Sequence, residues 1–133
     1  VYGMKNLFKL GDFTSHSGLP LKWKIECEAL KWQDWDCLAQ MMIEREGPCR
    51  AAYGIPRGGN ELAFSLNTNH ATKSPEDPLW IVDDVYTTGK SFKEFEEEKF
   101  PGLPVGIIKK WCVFAREKPH GMSGVKALFI MGE

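Results

Sequence analysis

One segment narrows the folds open to this chain more than any other. Residues 79–91 run Leu-Trp-Ile-Val-Asp-Asp-Val-Tyr-Thr-Thr-Gly-Lys-Ser. An apolar strand ends in two adjacent carboxylates, and a hydroxyl-rich loop then opens a helix. A strand feeding straight into a helix is the repeating unit of a parallel α/β sheet. Carboxylates suit sugar hydroxyls and a hydrated divalent cation. Backbone N–H groups and hydroxyls at a helix start suit a phosphate. The segment therefore offers complementary groups for both ends of a phosphorylated sugar.

The rest of the chain repeats the alternation. Residues 1–20 read as irregular, with Phe8, Leu10 and Phe13 as apolar anchors. Residues 21–27 alternate apolar and polar, as a half-buried strand does. Trp32, Trp35, Leu38, Ala39 and Met42 recur at helical spacing and predict an amphipathic helix over 29–45, its aromatic stripe serving the core. Gly47-Pro48 ends it. A strand over 49–55 runs into Pro56-Arg57-Gly58-Gly59, followed by a short helix from 60 to about 66. Residues 67–78 are polar and hold two prolines, so they read as a loop. The Trp80–Val82 strand leads to a helix over 91–100, whose Glu96-Glu97-Glu98 run reads as a solvated face. A strand over 105–114 with a break near Lys109-Lys110, a loop over 115–124 and a strand over 125–131 complete the chain. The expected fold is a Rossmann-like three-layer α/β domain with a mainly parallel central sheet. Ligands in such sheets bind beyond the carboxyl ends of the strands. Loops 56–59 and 83–91 both follow strands, so they fall on one edge.

Bulk properties exclude several classes. A chain of 133 residues holds one domain with a real core. Its 17 basic and 18 acidic residues give a net charge of -1, which argues against a nucleic-acid partner. No apolar run approaches the roughly 20 residues that span a bilayer, and Lys5 and Lys9 interrupt any secretory pattern. A cytoplasmic location without membrane or nucleic-acid partners is expected. Cys27, Cys37, Cys49 and Cys112 lack CxxC spacing and read as reduced, buried thiols. His16, His70 and His120 show no paired spacing for zinc.

The two loops carry the chemistry. Adjacent aspartates at a strand end repel each other, and the apolar strand before them points one or both at a polar ligand or metal. Thr87, Thr88 and Ser91 supply hydroxyls, and Gly89 lets the backbone approach an anion. Helix capping by Thr or Ser explains one hydroxyl but not the set. Gly89-Lys90-Ser91 also ends the nucleotide-binding P-loop pattern. That pattern needs a glycine five positions earlier, where this chain has Asp84, and a carboxylate there repels phosphate.

Residues 79–91 instead resemble the signature of the type I phosphoribosyltransferases. The resemblance implies that Asp83 and Asp84 contact the ribose of 5-phosphoribosyl pyrophosphate (PRPP) and meet Mg²⁺, directly or through water. It also implies that Val85, Tyr86, Thr87, Thr88, Gly89, Lys90 and Ser91 cradle the 5-phosphate. Tyr86 departs from the usual aliphatic residue. Tyr53–Gly59 is similar to the family's pyrophosphate loop, which assigns Pro56, Arg57, Gly58 and Gly59 to the pyrophosphate. Gly11–Gly18 resembles the start of the orotate phosphoribosyltransferases. That makes 1–133 one domain with a hood over 1–27, and puts His16 where those enzymes carry a lysine. Residues 113–117 resemble the strand after the PRPP motif, which brings Arg116 to the base. The implied activity is Mg²⁺-dependent transfer of a phosphoribosyl group to a nitrogenous base, orotate or another, with release of pyrophosphate. A homodimer is also implied.

One part of the family pattern is short. The family has a strand, a long mobile loop and another strand between its pyrophosphate loop and its PRPP motif. Here 67–78 leaves no room for a full lid, which opens a second reading as a non-catalytic PRPP- or nucleotide-binding module. A third reading, a receiver-like phosphate-binding module, would use Asp83, Asp84, Thr87 and Lys109.

Overall fold

The computed structural model describes residues 7–14, 18, 20–104 and 106–131, and the side chains of all of these but 21–23. Four parallel strands form the central sheet in the order β3-β4-β5-β6: β3 (Ala51–Gly54), β4 (Leu79–Tyr86), β5 (Ile108–Ala115) and β6 (Val125–Ile130). Helices α2 (Asn60–Asn69) and α3 (Lys90–Lys99) connect β3 to β4 and β4 to β5, and α1 (Trp32–Glu46) precedes the sheet. This is the α/β class expected. A separate antiparallel pair, β1 (Phe8–Thr14) and β2 (Pro20–Ile25), stands at the N-terminal side.

Each sheet face has its own core. On one face, Trp35, Leu38, Ala39 and Met42 of α1 and Leu62, Ala63 and Leu66 of α2 pack with Trp80, Val82 and Trp111. On the other, Phe92 and Phe95 of α3 pack with Ile81, Tyr86 and Cys112. Burying both faces of a parallel sheet requires near-continuous apolar strands, and Leu79–Val82 and Trp111–Ala115 supply them. Trp80 and Trp111 stack across neighbouring strands with centroids 6.3 Å apart. Polar side chains tie α1 to the far strands: Arg45 Nη1 donates to Leu128 O at 3.2 Å, and Trp111 Nε1 donates to Glu46 Oε1 at 3.1 Å.

Several sequence expectations are corrected. Residues 8–14 form β1 because they pair with β2, a tertiary contact that local sequence does not announce. Phe8 and Leu10 are exposed rather than part of the core. Trp32 opens α1 on its solvent side, 70% exposed, and leaves the core to Trp35, Leu38, Ala39 and Met42. Helix α2 runs on to Asn69 because Asn67 pins it to the edge strand: its side chain accepts from Ala52 N and donates to Ala52 O, both at 2.8 Å. Strand β5 is unbroken at Lys109-Lys110, where Lys110 answers Glu96 at 2.6 Å; Lys99 lies 3.8 Å from Glu98, so two members of the acidic run are ion-paired. Cys49 and Cys112 are buried, Cys27 is partly buried and Cys37 is exposed, so the buried-thiol reading fails at Cys37.

Candidate functional site

All four strands of the sheet point their carboxyl ends to one edge. Register brings the two loops together there. Gly54 pairs with Val82, and Ile55 N donates to Val82 O at 2.9 Å. Residues 56–59 therefore turn away beside Asp83 and Asp84.

The aspartates lie within β4 rather than beyond it. The ladder to β5 continues past them, with Asp83 opposite Cys112 and Tyr86 opposite Ala115. Asp83 is buried and Asp84 half-buried. Asp83 Oδ1 accepts from Asp84 N at 2.8 Å, and Asp84 Oδ1 accepts from Val85 N at 2.7 Å. Burial, then the neighbouring Asp84 carboxyl, pushes the Asp83 carboxyl up to about 9. Burial there favours the protonated form of Asp83. Cys27, in the 3-10 turn after β2, has its thiol pushed well above the usual range by burial and then by the neighbouring Asp84 carboxyl.

The loop after β3 is shaped by close packing. The Pro56–Arg57 peptide is cis. A Cβ on Gly58 would run into the Asp84 carboxylate. A Cβ on Gly59 would collide with Val82 O and lie 2.7 Å from Ile55 N. Only hydrogen fits at Gly59, where the neighbours are backbone; at Gly58 the Asp84 side chain would have to move. Gly59 also precedes α2, and no side chain caps that helix.

The loop after β4 is open. Thr87, Thr88, Lys90 and Ser91 are exposed. Gly89 sits at φ +83° before α3, again with no side-chain cap. Thr88 Oγ1 lies 3.4 Å from Lys90 N. Tyr86 points inward, buried against Phe92, and its hydroxyl lies beneath Gly89, 2.8 Å from where a Cβ would stand. Its ring is the floor of the loop. Two uncapped ten-residue helices thus start at the same edge, each presenting first-turn N–H groups and a positive dipole end to an anion.

A cavity of about 760 Å³ lies between the 25–30 segment and this edge. Arg57, Gly58 and Asp84 line it, together with Cys27, Asn60 and Glu61. Arg116 and residues 87–91 are not in that lining. Arg116 follows β5 at the same edge, half-buried, with its guanidinium pKa lowered by desolvation. His16 lies outside the described residues. Lys109 pairs with Trp80, three residues upstream of Asp83 and about 10 Å away along the strand, so the receiver-like set does not assemble. Sequence reasoning missed the cavity wall contributed by Glu26–Leu30 and by Trp32. An exposed tryptophan on the polar side of a helix start was its one visible signal.

The architecture matches solved structures. The orotate phosphoribosyltransferase of Aeropyrum pernix superposes with a TM-score of 0.65 at 19% identity, over 91% of this chain and 85% of that one. The chain has the type I phosphoribosyltransferase fold. Leishmania donovani UMP synthase gives a TM-score of 0.67 at 16% identity, over 92% of this chain and 33% of the larger protein. The orotate phosphoribosyltransferase of Mycobacterium tuberculosis, solved in complex with Fe(III) dicitrate, gives 0.57 at 15% identity, over 90% and 86%. Neither a family-level sequence model nor a curated protein sequence matches the chain. Within the phosphoribosyltransferase fold, β4 follows α2 after residues 70–78 alone. No helix among the described residues is long and apolar enough to cross a membrane.

Proposed function

We propose that the chain is one phosphoribosyltransferase-like domain that binds PRPP at this edge and transfers its phosphoribosyl group to a nitrogenous base, releasing pyrophosphate. The observation that carries the reading is the juxtaposition of loop 56–59, Asp84 and the uncapped start of α3 along one sheet edge. Loop 87–91 takes the 5-phosphate through hydroxyls and first-turn N–H groups. Loop 56–59 takes the pyrophosphate through the backbone at Gly58 and Gly59 and the fork of Arg57. Asp83 and Asp84 hold the ribose hydroxyls, and β1–β2 with the 25–30 segment act as the hood.

The residues fit Mg²⁺ in a limited way. Among the described residues no three His, Cys, Asp or Glu side chains form a metal-holding group. Asp84 is half-buried and faces the cavity, so it suits a hydrated cation that arrives with the pyrophosphate. Asp83 is buried, which favours its protonated form and suits a ribose hydroxyl. Mg²⁺, when bound, neutralises charge on the leaving pyrophosphate. The chain's own contribution is orientation of the two phosphate ends, which holds the anomeric carbon in place for attack.

A second reading has its own observation. Residues 70–78 are too few for a closing lid, and a site that stays open lets water compete with the base. On that reading the domain binds PRPP without transferring it. Thermal denaturation with millimolar PRPP and Mg²⁺ tests the shared part: a rise in Tm is expected, and no rise overturns both readings. Pyrophosphate release on adding a base then separates them.

A further inference from the structure

The cavity wall has a chemistry that the fold alone does not dictate. Its lining carries the carboxylates of Glu26, Glu28, Glu61 and Asp84 against one cation among the described residues, Arg57. Glu26 is answered by Lys24 at 2.7 Å and Lys9 at 3.9 Å. Glu61 stands in the first turn of α2, on the exposed side of the helix. Trp32 lines the same cavity with its ring 70% exposed. A second hollow of about 330 Å³ continues from the first, sharing Trp32 and Glu61 and reaching Phe64, itself 72% exposed. A groove thus runs from Asp84, at the ribose end, to an exposed aromatic platform flanked by carboxylates.

We propose that the acceptor base of this site is an amino-substituted nitrogen heterocycle without an anionic group, stacked on Trp32 and selected by Glu61. This inference rests on the phosphoribosyl reading of the edge. A planar base gains stacking on an exposed indole face. Carboxylates accept hydrogen bonds from ring N–H and exocyclic amino groups. They repel a base that carries its own carboxylate, and like charges brought together at a site cost several kcal/mol. The acidic wall therefore turns the specificity away from orotate, although the fold is that of orotate enzymes. In the transfer, a ring nitrogen bonds to C1 of the ribose with its lone pair. The C1–oxygen bond to pyrophosphate breaks, pyrophosphate leaves with that electron pair, and the ring proton passes to water in the open cavity.

The test is calorimetric titration of the full chain. One arm measures PRPP with Mg²⁺. The other measures adenine and cytosine against orotate and nicotinate, with the chain held at saturating Mg²⁺ and pyrophosphate. The amino-substituted bases are expected to bind at least about tenfold tighter than the carboxylated ones. Trp32→Ala should weaken adenine by about tenfold, the scale of one base–aromatic stack, at unchanged Tm. Glu61→Gln should raise orotate affinity and lower adenine affinity. Equal or tighter binding of orotate, no binding of any base, or an unaltered preference in Glu61→Gln overturns the inference while PRPP binding leaves the reading of the edge standing. Failure to bind PRPP overturns both.

Discussion

The two loops at the sheet edge, both proposed to hold a phosphate, are built by opposite means. Loop 56–59 is packed so tightly that its path is set by neighbours: Val82 O and Ile55 N bound Gly59, and the Asp84 carboxylate bounds Gly58. Loop 87–91 is solvent-exposed at its two threonines, and one buried ring, Tyr86, supports it from below. The first loop is rigid because a Cβ at Gly59 meets backbone and one at Gly58 meets the Asp84 carboxylate. The second is pliable because little touches it. A phosphate bound by the first meets preformed N–H groups, and one bound by the second gathers hydroxyls around itself. Sequence changes in the first should therefore register in folding, and changes in the second in ligand affinity alone.

The largest effect expected is from Gly59→Ala. Its new Cβ meets backbone on two sides, so overpacking should cost about 3 kcal/mol and lower Tm by roughly 10 °C. A normal Tm would show that the packed loop gives way easily and would erase the contrast. Gly58→Ala comes next. The added methyl meets a side chain, which can swing aside, so Tm should move by only a few degrees, about 1 kcal/mol. Displacing Asp84 should still weaken PRPP by about 30-fold, roughly 2 kcal/mol. Thr88→Val probes the open loop. It should leave Tm unchanged and weaken PRPP by about tenfold, the scale of one hydrogen bond to a charged group. A fall in Tm there would mean that the open loop is structural after all.

The last effect concerns pH. Burial raises the Asp83 carboxyl in the fold to about 9, against an ordinary 3.8. Between those values the folded chain keeps a proton that the unfolded chain has lost, so this group's contribution to stability is full below about 4 and declines as pH rises toward 9. Asp83→Asn has no proton to lose. Its Tm should fall less than the wild type's between pH 5 and pH 9. Parallel curves would show that Asp83 is ionised in the fold.

Much of this contrast was legible in the sequence, and the reasons are local. The order of strand, acid pair, hydroxyl loop and helix lies in thirteen consecutive residues, so chain order alone set Asp84 beside the start of α3. The apolar runs Leu79–Val82 and Trp111–Ala115 announced a sheet buried on both faces. What escaped was decided by contacts between distant segments. Strand β1 exists through pairing with β2, α2 is lengthened by Asn67 reaching back to Ala52, and β4 runs through Asp83 to Tyr86 because β5 lies alongside. The exposure of Trp32 followed the same rule, since the spacing of the stripe gives a face but not where that face begins. The site was read as two loops. The structure adds a wall, the 25–30 segment whose Cys27 lines the same cavity as Asp84, which no motif marks.

The central claim is that this edge holds PRPP through Asp83, Asp84 and both loops. Calorimetric titration of PRPP with Mg²⁺ into the wild type and into the Asp83→Asn, Asp84→Asn double variant tests it most directly. The account predicts saturable binding to the wild type and its loss in the variant, with the variant still folded. Equal affinity in the two chains, or no binding to the wild type, would contradict it.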